Sequence, residues 1–207
     1  KARDLARSGE YGEIREVIVS FGRGQLMWTH PHSLDLLAFF CAPAQPVSLS
    51  AHFAPDSYQC TGNEIDGDPI ITACSVQFSD SVVGQISQAG NCDVVIGCDK
   101  GIISVEADGR ALSIKTSVGR DPYWTAKQVD TTSMRERGGT FLALSRLVDA
   151  LDGKDPGQVA EDKAAILTTQ RLVFACCHSG SSGGRSVDPL NLPEDVSVNG
   201  RTGARFA

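Results

Sequence analysis

The sequence predicts an α+β domain: an open, mainly antiparallel or mixed β-sheet with helices packed on one face. Three observations carry this. Between residues 46 and 117, short stretches alternate apolar with polar residues and are divided by turn signals, with no helix between them. Helical periodicity is segregated, with one short helix before those stretches and two longer ones after them. At 207 residues and 41% hydrophobic, the chain can bury a core without disulfides or metals.

Taken in order, residues 1–8 read as the end of a helix stopped by Gly9 and Gly12. Residues 13–21 read as a strand in which Val17, Val19 and Phe21 share a face. Residues 33–40 read as a short helix with Leu34, Leu37 and Phe40 on one side. Pro43 and Pro46 end it, because proline cannot continue a helix. In residues 46–54, Val47, Leu49, Ala51 and Phe53 alternate with Ser48, Ser50 and His52, the pattern of a half-exposed strand. Residues 55–68, polar and rich in Gly and Asp, read as a loop. Strands are expected at 70–79, 82–89, 92–98, 101–106 and 111–117, separated by tight turns such as Asp99-Lys100-Gly101 and Asp108-Gly109-Arg110.

Residues 118–130 read as an irregular aromatic link containing Tyr123 and Trp124. A helix is expected over 131–152, where Phe141, Leu144, Leu147, Val148 and Leu151 keep the 3.6 period and Gly153 ends it. A second helix is expected over about 158–178, with Ile166, Leu167, Gln170, Val173, Phe174 and Cys177 sharing a side. Asp155 with Pro156, or Glu161 with Asp162, suits its first turn. Residues 1–190 are expected to form one domain and 191–207 a loosely ordered tail.

Several function classes fall away. A net charge of −6 argues against a nucleic-acid partner, which needs a basic face to neutralise phosphates. No run approaches the roughly 18 apolar residues of a membrane helix, and no signal peptide is visible, so a cytoplasmic protein is expected. The seven cysteines are odd in number, lie mostly in apolar segments and include no CxxC pair. They read as reduced, buried thiols rather than a disulfide framework or a zinc site. There is no dinucleotide fingerprint, P-loop, nucleophile elbow or HExxH; the glycine cluster at 179–184 follows a helix. Cys177 and His178 are adjacent on a helix and point apart, so they do not form a dyad. The chain opens on a charged, helix-like segment without Met and reads as a fragment or a processed chain.

The candidate residues cluster at 21–40. Gly22 and Gly24 end the first strand. Gln25, Trp28, Thr29, His30 and His32 follow, and the helix opens at Ser33. Two of the four histidines and one of the two tryptophans are here. A strand-to-helix junction holds a reactive group rigidly from both sides. Two readings are open: a reactive site, or histidines that merely cap or cover a helix start. Asp35 reads as a partner for the helix dipole or a backbone cap. A metal held by His30, His32 and a carboxylate lacks an evident third ligand.

Four stretches, in order, resemble the C-terminal domain of the Gfo/Idh/MocA oxidoreductase family. Lys1 to Ile14 (KARDLARSGEYGEI) is similar to the family's helix, sGxxGeI turn and first strand. Gly22 to Leu37 is similar to its glycine-rich segment ending in HxxDLL, here His32 to Leu37. Residues 70–117 look like its sheet meander, with the turn reduced to Phe78-Ser-Asp-Ser-Val-Val-Gly. Glu161 to Val187 looks like its closing helix and GrxV end.

The resemblance implies a substrate-binding and oligomerisation domain. NAD or NADP would be held mainly by an N-terminal Rossmann domain absent from this chain. The substrate would be a sugar, polyol or related carbonyl compound, and a homo-oligomer would form through the free sheet face. The family's DxxxH arrangement places its histidine on His32, the expected catalytic residue, and its aspartate on Trp28. Trp28, Thr29 and His30 are then the expected substrate-binding residues. An imidazole is suited to taking a hydroxyl proton from a carbinol. Trp28 either stacks on a sugar face or is a core or interface aromatic. Lys115, Tyr123 and Trp124 are candidate pocket residues by analogy only, a structural role being the favoured reading for each; Gln85 and Gln88 fit an exposed sheet face. The chain is not expected to turn over substrate alone. The alternative is a non-catalytic binding or dimerisation protein on the same fold.

Overall fold

A computed structural model describes residues 1–117, 123–130 and 139–199. Its elements are α1 (Ala2–Arg7), β1 (Ile14–Ser20), α2 (His30–Cys41), β2 (Pro46–Phe53), β3 (Gln59–Thr61), β4 (Glu64–Asp66), β5 (Ile71–Phe78) and β6 (Val83–Ser87). There follow β7 (Asp93–Cys98), β8 (Gly101–Glu106), β9 (Ala111–Ser117), β10 (Trp124–Gln128), α3 (Gly139–Leu151), α4 (Pro156–Ser181) and β11 (Ser197–Asn199). Eight strands form one open mixed sheet in the order β10-β9-β8-β7-β1-β6-β5-β2. The expected fold class is borne out. β1 sits in the middle, antiparallel to β7 and parallel to β6.

The sheet registers carry one buried row across seven strands: Leu49, Val76, Gly84, Val17, Ile96, Ile103 and Ile114. Gly84 is the one member without a side chain, and α2 fills the gap. A Cβ there would lie 3.1 Å from a Leu37 methyl and 3.2 Å from the Phe78 ring. Leu34, Leu37 and Phe40 are buried along the same side of α2, as their spacing predicts. The opposite sheet face carries the row Ser50, Ser75, Gln85, Ile18, Val95, Ser104, Ser113 and Gln128. Ile18 and Val95 apart, its members are polar, with Ser75, Gln85 and Gln128 exposed and Ser104 and Ser113 buried.

The edge strand β2 is covered from outside. Leu49 and Val187 exchange backbone hydrogen bonds, and Ser50 Oγ donates to the Gly184 carbonyl. Ser179 Oγ accepts the Ala51 N–H and donates to the Arg185 carbonyl. This chain segment meets the unpaired groups a bare edge would present.

Several expectations are corrected. Val47 is exposed, because the register shifts between Pro46 and Ser48 and turns Pro46 inward instead. The loop at 55–68 contains the hairpin β3–β4, which β11 joins in parallel as a second small sheet. Trp124–Gln128 is not irregular but pairs with β9. α2 starts at His30, three residues early, with Pro31 in its first turn. α4 buries Thr169, Leu172, Val173, Cys176, Cys177 and Gly180, while Ile166, Leu167 and Phe174 are exposed. Only its C-terminal half reaches the core, and small residues there let it approach β2. A side chain on Gly180 would enter the Phe53 ring. Asp155 does cap α4, its Oδ1 accepting the Gln158 N–H, with Pro156 next. α3 forms where its period predicts, yet its apolar stripe faces outward, from 50% exposure at Leu142 to 79% at Leu151. The expected helix over 131–138, the link over 118–122 and the tail over 200–207 lie outside the described residues.

The cysteines are free thiols, five of them buried. Cys74 and Cys176 place their sulfurs 3.7 Å apart between β5 and α4. The Cys74 contact and burial push the Cys176 thiol well up, which favours the neutral form.

Leu37→Ala opens a cavity over Gly84. It should lower stability by about 2–5 kcal/mol and Tm by roughly 2–4 °C per kcal/mol, read by chemical and thermal denaturation.

Candidate functional site

The 21–40 stretch begins where β1 ends. Gly22 takes φ +79°, which lets the chain leave the strand, and its N–H donates to the Ala89 carbonyl at 2.8 Å. Residues 24–27 then run against 68–71. Leu26 N–H donates to the Pro69 carbonyl at 2.7 Å, Ile71 N–H donates to the Gly24 carbonyl at 3.3 Å, and Gln25 bridges Ile70. Met27 N–H donates to Asp68 Oδ1 at 2.7 Å. A Cβ on Gly24 would lie 2.7 Å from that of Thr29, so the turn closes only with glycine there. Thr29 and His30 N–H both donate to the Gln25 carbonyl, at 2.9 and 3.2 Å, and α2 follows.

This geometry separates the four predicted residues. His32 is exposed on the outward face of α2, in its first turn. Trp28 is 62% exposed just before the helix. Thr29 is the half-buried N-cap residue, without a side-chain cap bond. His30 turns inward and is 1% exposed. Its Nδ1 lies 3.1 Å from Ser33 Oγ, and its enclosed Nε2 has no hydrogen-bond partner among the described residues. Burial lowers its pKa from the ordinary 6.5, with the Gly24 backbone opposing. Trp28, Thr29 and His32 thus reach the surface while His30 holds the helix start. Asp35 is not a helix-start cap: Thr169 Oγ1 of α4 donates to its Oδ1 at 3.0 Å. That bond joins α2 to α4 beside the exposed face.

Two features were missed. Asp68 is buried and 41 residues from its Met27 partner, so no local pattern announces it. The other is an open cavity of about 400 Å³ lined by Glu10, Tyr11, Asp99, Lys100, Thr116, Ser117 and Trp124. It lies at the starting end of β1, roughly 20 Å along the strand from the histidine loop, and no residue from 21–40 lines it. Its Asp99 is engaged by the Arg15 guanidinium and the Glu13 N–H. Of the analogy residues, Trp124 lines this cavity and Lys115 is exposed on β9. Gln85 and Gln88 are exposed, donating to Glu16 and to the Thr72 carbonyl. Among the described residues no cluster of three or more His, Cys, Asp or Glu is placed to hold a metal.

His30 generates a pH dependence with a definite sign. Its folded pKa lies below the unfolded one, so below about pH 6.5 the unfolded chain binds more protons and stability falls. Urea midpoints should drop between pH 7.5 and 5.5, and His30→Gln should flatten part of that drop. A drop of the same size in His30→Gln would rule His30 out as its source.

No family model and no curated protein matches the sequence. Solved structures do match. The aldose-aldose oxidoreductase of Caulobacter crescentus, complexed with glycerol, superposes at a TM-score of 0.64 and 16% identity, over 90% of this chain and 59% of that one. An inositol dehydrogenase homolog from Azotobacter vinelandii, complexed with NADH and myo-inositol, gives 0.61 and 15%, over 90% and 60%. A super-repressor mutant of Gal80p from Saccharomyces cerevisiae gives 0.60 and 13%, over 91% and 61%. The chain thus spans about 60% of the length of these neighbours. At these identities the likeness is one of fold, and the resemblance to the C-terminal domain of Gfo/Idh/MocA oxidoreductases is borne out at that level.

Proposed function

We propose that this chain is the substrate-binding domain of an NAD(P)-dependent oxidoreductase acting on a sugar, polyol or related carbonyl compound. The observation that carries the reading is His32: an imidazole open to solvent in the first turn of a helix whose other side is locked into the core. A group held this way approaches a ligand without reorganising. The neighbours named for an aldose and for myo-inositol supply the substrate class.

The chain's own residues do not fit a dinucleotide. No GxGxxG turn joins a strand to a helix, and the space at Gly24 is filled by the side chain of Thr29. In this reading the nicotinamide belongs to a domain outside these 207 residues, which alone give no turnover. What this chain contributes is binding and proton handling. His32 takes a substrate hydroxyl proton, and Trp28 offers a flat apolar face to a sugar ring. No carboxylate follows at position 28, so the imidazole lacks the family's acidic partner there.

One surface supports an assembled form: the outward apolar stripe of α3, poorer left in water than covered. Among the described residues no helix is long and apolar enough to cross a membrane. A second reading, a non-catalytic binding protein, is favoured by Trp28 standing in the aspartate position and by a repressor having the same fold.

The test is the full-length protein assayed with NAD(P) against a panel of polyols and aldoses. The catalytic reading expects His32→Ala to lower kcat by about 10²–10⁴-fold with folding intact. Turnover unchanged by His32→Ala removes His32 from catalysis, and no turnover across the panel favours the binding protein.

A further inference from the structure

We propose that Cys74 and Cys176 form an oxidation site, at which hydrogen peroxide joins β5 to α4 through a disulfide. The two residues are 102 apart in the chain, and their sulfurs lie 3.7 Å from each other in the core. The fold brings them together from both sides. Cys74 stands opposite Ala51 of β2, and the Ala51 N–H is held by Ser179 Oγ, one turn beyond Cys176 on α4. Gly180 lets the same helix seat against the Phe53 ring. Neither sulfur depends on a loop: Cys74 is mid-strand, paired with Ala51 and Ile86, and Cys176 lies in the buried half of α4. A disulfide holds its sulfurs at about 2.05 Å, so the gap of 3.7 Å closes by about 1.7 Å. Rotation about the two Cα–Cβ bonds supplies a movement of that size.

The chemistry balances on peroxide alone. One thiol, as its thiolate, attacks the O–O bond and becomes a sulfenic acid; the hydroxide released takes up the thiol proton as water. The second sulfur then attacks the sulfenic sulfur, and its proton leaves with the hydroxyl as a second water while the S–S bond forms. The two thiols lose two electrons and two protons, and peroxide is reduced to two waters. Cys74 is the sulfur assigned to the first step, being 5% exposed where Cys176 is fully enclosed. The contact with Cys74 and burial push the Cys176 thiol well up, so it stays neutral until the sulfenic acid stands beside it. Burial also selects the oxidant, since peroxide is little larger than water and glutathione is a tripeptide.

The bond would fasten the helix where it matters to its neighbour. The first buried residue of α4 is Thr169, which donates to Asp35 of α2. Cys176 lies two turns further along, so a cross-link there ties that half of α4 to the sheet. Cys41, Cys98 and Cys177 are buried as well, and Cys60 is exposed, so the other thiols report on selectivity within one sample.

The test exposes the folded chain to hydrogen peroxide, alkylates the remaining thiols in denaturant and maps the peptides by mass. The expected product is a peptide pair joined through Cys74 and Cys176 and released by dithiothreitol, with Cys41, Cys98 and Cys177 still reduced. The linked chain should melt roughly 5–15 °C higher, because a long loop is closed in its unfolded state. Cys74→Ala should leave Cys176 reduced at the same dose, and Cys60→Ser should leave the link unaffected. Three results overturn the inference: Cys74 and Cys176 both still reduced once Cys60 is oxidised, a link that forms only in urea, or a linked chain that melts no higher. Where Cys74→Ala does not fold, the unaltered chain decides. The link between Cys74 and Cys176 must then dominate in the folded state and give way to mixed pairings in urea; mixed pairings in both overturn it.

Discussion

The close approach of α2 to the sheet at Gly84 is the constraint on which the rest of the molecule depends. Seven strands align one buried row, and only Gly84 leaves room for a helix side chain to seat between neighbours. Leu37 takes that seat, with Leu34 and Phe40 on the same side. A helix whose inner side is fixed has its outer side fixed too, because α-helical spacing leaves no independent choice. His32 and Asp35 are outward for that reason, and Thr169 of α4 holds Asp35 from above. A missing side chain in a strand thus decides which face of α2 is turned outward, the face proposed to meet a ligand.

Around the start of α2 the fold keeps polar groups inside, where they carry more consequence than at the surface. His30 and Ser33 are buried within a few residues of the exposed Trp28 and His32, and the buried Asp68 joins them through its bond to Met27. Asp68 accepts the Met27 N–H ahead of the helix, and the His30 and Ser33 side chains meet each other in its first turn. Buried polar groups are sensitive to protonation and substitution, so rigidity at the site and pH-sensitivity of the fold have the same origin. The inward turn of His30 is also what separates two histidines that look equivalent in sequence.

Legibility in the sequence followed the range of the interactions. The strands at 101–106 and 111–117 were read to the residue, because period-two alternation and tight turns are local. Val47 misled because a bulge, invisible in composition, reverses the alternation at Pro46. The start of α2 was placed at Ser33, a good cap by type, whereas Pro31 was the better signal and Ser33 is buried against His30. α4 was read by its large apolar residues, but the side that packs is lined by Thr169, Cys176 and Gly180, where small size matters more than hydropathy. In the site, the outward place of His32 follows from helix spacing once Leu34 and Leu37 are inside. The roles of His30 and Asp68 depend on contacts with Gly24, Ser33 and Met27 that only the folded chain brings together.

In the proposed function, the outward face of α2 meets the ligand. The most direct measurement is a crystal structure of the full-length protein with a nicotinamide cofactor and a polyol bound. A ligand hydroxyl within hydrogen-bond reach of the His32 imidazole, with Trp28 against the ligand ring, is the predicted result. A polyol bound elsewhere, such as in the cavity at Trp124, with the outward face of α2 covered by protein, would contradict it.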